Sequence, residues 1–128
     1  MDVDAWVEAY RAAWEDRDPE AAARLFAEDS TYRSFILEEP ARGPEGVADY
    51  WSSVTESQSE VRVRMGRPFE QGSRVAVEFW TTMLSDGSPV TLPGCLLLEF
   101  DDLVRCTMLR EYWHFVEGHF EPPPEWGT

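Results

Sequence analysis

Three long, largely apolar runs occupy the carboxy-terminal third of the chain. They are RVAVEFWTTML, PVTLPGCLLLEF and RCTMLREYWHF, they lie within residues 74–115, and the short turns SDGS and DDLV join them. Such runs, bounded by turn residues, are typical of antiparallel strands, and Asp86-Gly87 is a strong hairpin signal. Pro93-Gly94 inside the second run indicates a bulge or a sharp bend. We therefore predict three consecutive strands in a strongly bent sheet.

Ahead of these strands, apolar residues recur at helical spacing in three segments. Asp18 is a good N-cap for the second helix, and Pro19 occupies its first helical position. The predicted helices cover 3–16, 19–28 and 44–56, and the predicted short strands cover 30–35 and 61–65. This order predicts an α+β fold in which the helices lie in the concave face of the sheet and an apolar pocket separates the two layers.

Alternation along the strands assigns the two faces of the sheet. The inward-facing rows are predicted to be Val75, Val77, Phe79, Thr81 and Met83 on one strand, and Thr107, Leu109, Glu111, Trp113 and Phe115 on the last strand. The opposite row of the last strand is amphipathic and comprises Met108, Arg110, Tyr112 and His114. A row of this kind on the outside of a sheet predicts a homodimer interface.

The length, net charge and basic residues of the chain exclude several classes of binding partner and cofactor chemistry. The 128 residues suit one domain, 1–128, and the net charge of −14 argues against nucleic acid and anionic membranes as partners. All eleven basic residues are Arg, which excludes a Schiff-base or phosphate-loop lysine. The chain start lacks the pattern of a signal peptide, and no apolar run approaches the ~20 residues of a membrane helix. The expected location is the cytoplasm.

The two cysteines, Cys95 and Cys106, lie on adjacent predicted strands. A disulfide between them is geometrically possible. Buried thiols are the alternative that an acidic, non-secreted chain favours.

Three segments together resemble the NTF2-like superfamily, and in particular its SnoaL-like members. They are RDPEAAARLFAEDSTY in the helix pair, GPEGVADYW in the third helix and LREYWH in the closing strand. The resemblance covers nearly the whole chain. It implies an α+β cone in which a curved, mixed and mostly antiparallel sheet wraps around three N-terminal helices. Members of the superfamily include isomerases, cyclases, epoxide hydrolases and non-catalytic binders, so the fold alone does not fix the function.

The resemblance also maps the functional groups of ketosteroid isomerases onto this chain. Their hydrogen-bonding Tyr falls on Tyr10, their general-base Asp on Ser34, and their protonated carboxylic acid on Leu96. A serine does not exchange a proton at neutral pH without a base of its own. We therefore exclude ketosteroid isomerase activity.

The limonene-type epoxide hydrolases give a second mapping. One of their pocket Asp residues falls on Glu111, whereas their Arg and second Asp fall near Val77 and Phe79. The chain therefore keeps one carboxylate and lacks its partners, and full epoxide hydrolase chemistry is not expected.

SnoaL-type cyclases use a pocket Asp or His as acid–base, and Glu111 is the one acid predicted to face inward from the sheet. Its pKa should rise because burial disfavours the charged form, which makes it the best acid–base candidate. Tyr10 and Tyr32 are predicted to polarise a carbonyl group as phenol donors. In the alternative interpretation Glu111 pairs with Arg33 or a Tyr and only stabilises the core.

The remaining predicted site residues would contact a ligand through the pocket wall. They are Trp14, Ser34, Tyr50, Phe79, Thr81, Met83, Leu96, Leu109 and Trp113. We expect a small hydrophobic carbonyl compound that is isomerised or cyclised without a cofactor or metal, since neither a phosphate-binding loop nor metal-ligand spacing is present. The rival interpretation is a non-catalytic, dimeric ligand-binding or scaffolding module.

Overall fold

A computed structural model describes residues 2–128 of the chain. Its helices are α1 (Val3–Glu15), α2 (Pro19–Ala23) and α3 (Gly43–Thr55). Aspartates cap the first two helices: Asp2 accepts a hydrogen bond from the Ala5 amide at 3.0 Å, and Asp18 accepts one from the Ala21 amide at 3.1 Å. No helix within residues 2–128 is both long enough and apolar enough to cross a membrane.

The second helix is shorter than predicted. It ends at Ala23, and strand β1 (Phe26–Arg33) begins three residues later, inside the predicted helix. The Leu25 carbonyl oxygen accepts hydrogen bonds from Trp6 Nε1 and from the Cys106 amide, each at 2.9 Å. Because these tertiary bonds hold the backbone of Leu25 in place, they override the local helical pattern.

The other strands are β2 (Ala41–Arg42), β3 (Gln58–Met65), β4 (Phe69–Gln71), β5 (Arg74–Ser85), β6 (Ser88–Phe100), β7 (Cys106–Trp113) and β8 (Val116–Glu117). The sheet order is β2-β1-β7-β6-β5-β3, with β4 paired to β5 and β8 paired to β6. Strand β1 runs parallel to β7, and the other neighbours in the described part of the chain are antiparallel. This arrangement confirms the predicted mixed α+β fold.

The two predicted turn features have different outcomes. Asp86 and Gly87 both have positive φ, 49° and 84°, between the paired Ser85 and Ser88, so the predicted hairpin is confirmed. Of the two alternatives predicted at Pro93-Gly94, the bulge is absent, because the β5–β6 register runs through both residues without a shift, and the sharp bend stays a prediction. Gly94 is needed for another reason: a Cβ there would lie 2.7 Å from the Tyr112 carbonyl oxygen and closer still to the Phe79 ring.

The core lies between the helices and the concave face of the sheet. All five inward residues predicted on β5, from Val75 to Met83, are buried. On β7, Leu109 is fully buried, while Tyr112 on the opposite face is exposed. The face assignment from alternation is therefore confirmed for these strands.

The carboxy-terminal tail, residues 119–128, lies against the outer face of the sheet. Trp80 Nε1 on β5 donates to the Phe120 carbonyl oxygen at 2.8 Å, and the Gly127 carbonyl oxygen accepts from the Arg67 amide at 2.8 Å. The Trp126 ring packs edge-on against Trp80. This tail therefore covers one end of the face that was predicted to form a dimer.

Both cysteines are free thiols. Cys95 stands opposite Tyr112 in the β6–β7 pair, whereas Cys106 stands opposite Phe100. This register keeps the two sulfur atoms apart. Cys106 is buried, and burial raises the pKa of its thiol to about 12.

Candidate functional site

A cavity of about 220 Å³ lies between helices α1 and α3 and the concave face of the sheet. Aromatic side chains form much of its wall. Four of them come from helices (Tyr10, Trp14, Tyr50 and Trp51), two from strands (Tyr32 and Trp113), and two from loops at the entrance (Phe35 and Phe115). Ser34 and Glu111 add polar groups at the β1–β7 side.

Glu111 projects from β7 into this cavity. Its neighbours in the same row are the fully buried Leu109 and the half-buried Trp113, and its partner on β6 is Leu96. A carboxyl group in such surroundings must find hydrogen-bond donors, because an unpaired buried charge is costly. Its Oε1 atom accepts a hydrogen bond from the Tyr32 hydroxyl at 3.2 Å.

Two phenols form a chain behind this carboxyl group. The hydroxyl oxygens of Tyr10 and Tyr32 are 3.2 Å apart. Tyr32 has one hydroxyl proton, and it donates that proton to Glu111, so Tyr10 must be the donor to Tyr32. Tyr10 lies on α1 and Tyr32 on β1, and the helix and the sheet therefore jointly orient the acid.

The surroundings of Glu111 change its acidity. Burial raises the pKa of this carboxyl group from 4.5 to about 7, although the hydroxyls of Tyr32 and Ser34 act in the opposite direction. Burial, together with the nearby Glu111 charge, also raises the pKa of Tyr10 and Tyr32, and that of Tyr50 to about 12. At neutral pH the phenols are therefore neutral donors, and Glu111 is close to half-ionised.

The alternative interpretation named Arg33 or a Tyr as the partner of Glu111, and the structure shows the Tyr contact, from Tyr32, whereas Arg33 is directed elsewhere. Its Nη1 atom donates to the carbonyl oxygens of Glu38 at 2.6 Å and Ile36 at 3.5 Å, in the loop after β1. The raised pKa of Glu111 agrees with this arrangement, because an adjacent guanidinium would lower it.

The large rings of the cavity are held by hydrogen bonds and by each other. Trp14 Nε1 donates to Gln58 Oε1 at 3.1 Å, and Trp113 Nε1 donates to the Ser34 carbonyl oxygen at 2.9 Å. The Tyr10 and Trp51 rings meet edge-to-face at 5.4 Å between centroids. These bonds use the N–H groups of Trp14 and Trp113, so these two side chains offer mainly ring surface to an occupant.

The structure brings eight of the predicted site residues to the cavity and leaves four outside it. The lining residues are Tyr10, Trp14, Tyr32, Ser34, Tyr50, Met83, Glu111 and Trp113. Phe79, Thr81, Leu96 and Leu109 face the same side of the sheet but are fully buried and do not line the cavity. Phe79, for example, packs against Trp14 at 5.4 Å between centroids, so helix side chains cover this part of the sheet.

A family model described as SnoaL-like domain matches residues 7–105, which is more than half of the chain. The chain belongs to the SnoaL-like family. This family lies within the NTF2-like superfamily, as the sequence motifs predicted. No curated protein matches the chain in sequence.

Several solved structures share the fold of this SnoaL-like domain. A protein with a ketosteroid isomerase-like fold from Catenulispora acidiphila DSM 44928, solved in complex with trimethylamine, is 25% identical, with a TM-score of 0.76 over 84% of this chain and 83% of that one. The epoxide hydrolase/cyclase-like enzyme SalBIII is 17% identical, with a TM-score of 0.77 over 89% and 94%. An LEH-like epoxide hydrolase from M. tuberculosis is 22% identical, with a TM-score of 0.71 over 86% and 80%.

Sequence reasoning missed several residues of the SnoaL-like cavity. Gln58 and Ser85 line it from the paired ends of β3 and β5, and Leu92 lines it from β6. Phe35 and Phe115 line the entrance from just beyond the ends of β1 and β7. Only the strand register and the path of the loops bring these residues together, and neither could be obtained from alternation.

Proposed function

We propose that this SnoaL-like domain binds a small, largely apolar compound and that Glu111 transfers a proton to or from it. The observation that supports this proposal is a cavity-facing carboxyl group with a pKa near 7 that receives a phenol hydrogen bond. A general acid–base works best when its pKa is close to the working pH.

The proposed roles of the tyrosines follow from their contacts. Tyr10 and Tyr32 are bonded in series to Glu111, so we assign them a positioning role toward the carboxyl group. Tyr50 also lines the cavity, and its raised pKa keeps its hydroxyl protonated. Tyr50 is therefore the phenol that we assign to donate a hydrogen bond to a carbonyl or epoxide oxygen of the substrate.

The size of the cavity limits the substrate. Its volume of about 220 Å³ is below the ~300 Å³ lower bound of typical pockets for drug-sized ligands. A compound of a few rings would therefore have to extend past Phe35 and Phe115 into solvent. SalBIII, of the same fold, acts in pyran ring formation, and we infer that ring-forming or double-bond-shifting chemistry on a small carbonyl or epoxide compound suits this cavity.

The test is a turnover screen with small enones, hydroxy-ketones and hydroxy-epoxides, using wild type, Glu111→Gln and Glu70→Gln. Glu70 is exposed on β4 and controls for the loss of one negative charge. We expect Glu111→Gln to lower kcat by at least about a hundredfold, and Glu70→Gln to leave it unchanged. If Glu111 abstracts a proton from the substrate, it must be ionised, so kcat/KM should rise as the pH increases through about 7. Turnover by Glu111→Gln at the wild-type rate would refute the proposed mechanism.

Binding without catalysis is the second candidate function. The Catenulispora protein was solved with trimethylamine, and the cavity of this chain combines aromatic walls with one carboxyl group. That combination suits a small amine, because aromatic faces and a counter-ion both stabilise cations. A protein that binds such amines but converts no member of the screen would favour this candidate.

We also propose that the chain forms a homodimer through the outer sheet face. Leu97 and Met108 form an apolar strip there, half-buried in the single chain, with Tyr112 exposed beside it. Since the carboxy-terminal tail covers the Trp80 end of this face, the contact would be centred on β6 and β7. Light scattering after size exclusion tests the proposal: Leu97→Glu should convert a dimer to a monomer, and a wild-type monomer would refute it.

A further inference from the structure

The cavity contains a single formal charge. Among the residues of the described chain that line it, Glu111 alone carries a charge at neutral pH, and eight of the lining residues are aromatic. Three phenols approach Glu111 from three elements: Tyr10 from α1, Tyr32 from β1 and Tyr50 from α3. All three have raised pKa values and stay neutral between pH 6 and 8. In that range Glu111 is the group that titrates among them.

An occupant that forms no hydrogen bonds fits this wall better than one that requires them. The indole N–H groups of Trp14 and Trp113 and the hydroxyl protons of Tyr10 and Tyr32 already have partners, and eight aromatic side chains outnumber the remaining uncharged polar ones of the wall, which are Ser34, Thr55, Ser57, Gln58 and Ser85. A primary ammonium ion would need up to three acceptors, whereas a fully methylated ammonium ion needs none and presents apolar methyl groups to aromatic rings. The small volume of the cavity also favours an ion of this size.

We propose that the cavity selects fully methylated ammonium ions over primary ammonium ions, and that the bound cation pairs with the ionised Glu111 carboxylate and thereby releases the carboxyl proton. This inference rests on the ligand-binding part of the proposed function and assigns a chemical class to the ligand. The balance is simple: the cation enters, the proton of Glu111 leaves to solvent, and no covalent bond to the ligand forms or breaks. The net charge of −14 attracts any cation from solution, so the selectivity must arise in the cavity.

The experiment is calorimetric titration with tetramethylammonium chloride and, separately, methylammonium chloride, at constant ionic strength and at pH 6 and pH 8. Buffers with different ionisation enthalpies count the protons released. With a carboxyl pKa of about 7, tetramethylammonium should bind about tenfold more weakly at pH 6 than at pH 8. About one proton should leave per cation at pH 6 and almost none at pH 8. Methylammonium should bind at least about tenfold more weakly than tetramethylammonium at pH 8.

Variants separate the contribution of charge from that of the rings. Glu111→Gln should lose both the pH dependence and most of the affinity, while Glu70→Gln keeps both. Tyr50→Leu should bind tetramethylammonium several-fold more weakly than Tyr50→Phe, because only the second keeps the ring. A thermal melt of each variant confirms that it is folded.

The outcomes distinguish this inference from the acid–base proposal. If folded wild type does not bind tetramethylammonium at pH 8, or binds methylammonium equally well, the selectivity is refuted, whatever the turnover screen shows. Equal affinities of Tyr50→Phe and Tyr50→Leu would also overturn it. Turnover that survives in Glu111→Gln would refute the acid–base mechanism and leave cation binding untouched.

Discussion

Replacing Glu111 with Gln should make the protein more stable at alkaline pH. Glutamine has nearly the same shape, keeps an oxygen that can accept the Tyr32 hydrogen bond, and does not ionise. In wild type the pKa of Glu111 is raised by burial to about 7 from 4.5. A raised carboxyl pKa means that the folded state holds the proton more tightly than the unfolded state. The stability that this provides is complete below pH 4.5 and is lost as the pH rises through 7.

The size of the effect follows from linkage between protonation and folding. Between pH 5 and pH 8, the free energy of unfolding of wild type should fall by about 2.5 kcal/mol relative to Glu111→Gln, using these two pKa values. Because other groups titrate equally in both proteins, the difference between them isolates Glu111. Near pH 5, where wild type is mostly protonated, the two should have similar stabilities.

The assay is urea unfolding of wild type, Glu111→Gln and Glu70→Gln at half-unit steps from pH 5 to pH 8. The measured quantity is the difference in unfolding free energy between each variant and wild type. For Glu70→Gln this difference should stay flat, since that residue is exposed. A flat difference for Glu111→Gln as well would show that the carboxyl group ionises as it does in water, and the argument for its acid–base role would fail.

Three other substitutions test separate features of the fold and the site. Tyr32→Phe removes the donor to Glu111, so the pKa of Glu111 should rise further above 7, which the same pH series would show as a shifted midpoint. Gly94→Ala should cost about 1–3 kcal/mol of unfolding free energy by overpacking, whereas Gly46→Ala in α3 should cost nothing; equal effects would contradict the packing argument. Asp18→Ala should cost about 1 kcal/mol by removing the cap of α2, and unchanged urea unfolding would contradict it.

The fold could be predicted where local patterns and tertiary contacts agree. Alternation located β5 and β7 and assigned their faces correctly. The apolar pattern specifies the face strongly in such strands, since a one-residue shift would move every side chain to the wrong face. The prediction failed at Leu25, where the helical pattern continues but the backbone carbonyl bonds to Trp6 and to Cys106 of β7. The bulge alternative at Gly94 was also wrong, since a glycine required by a neighbouring ring has the same local appearance as a glycine at a bulge.

The candidate site was predictable only in part. Parity along β7 was enough to direct Glu111 inward, and the resemblance to ketosteroid isomerases was enough to single out Tyr10 on the first helix. The chain did not reveal that Tyr10 reaches Glu111 through Tyr32, because that depends on how β1 pairs with β7 and how α1 crosses them. Gln58 and Ser85 were missed for a similar reason, since they meet only through the β3–β5 register.

The two proposed uses of the cavity place opposite demands on the same carboxyl group. Acid–base chemistry requires Glu111 to gain and lose a proton near neutral pH, whereas cation binding holds it ionised. A bound cation would lower the pKa of Glu111 below about 7, because a nearby positive charge favours the ionised carboxylate, as an adjacent Arg33 would have done. A methylated ammonium ion should therefore inhibit any reaction that needs the protonated acid. Because both occupants use the same cavity, the inhibition should follow the occupancy of the cavity by the cation, and it should be stronger at pH 8 than at pH 6, where fewer Glu111 carboxyl groups are ionised.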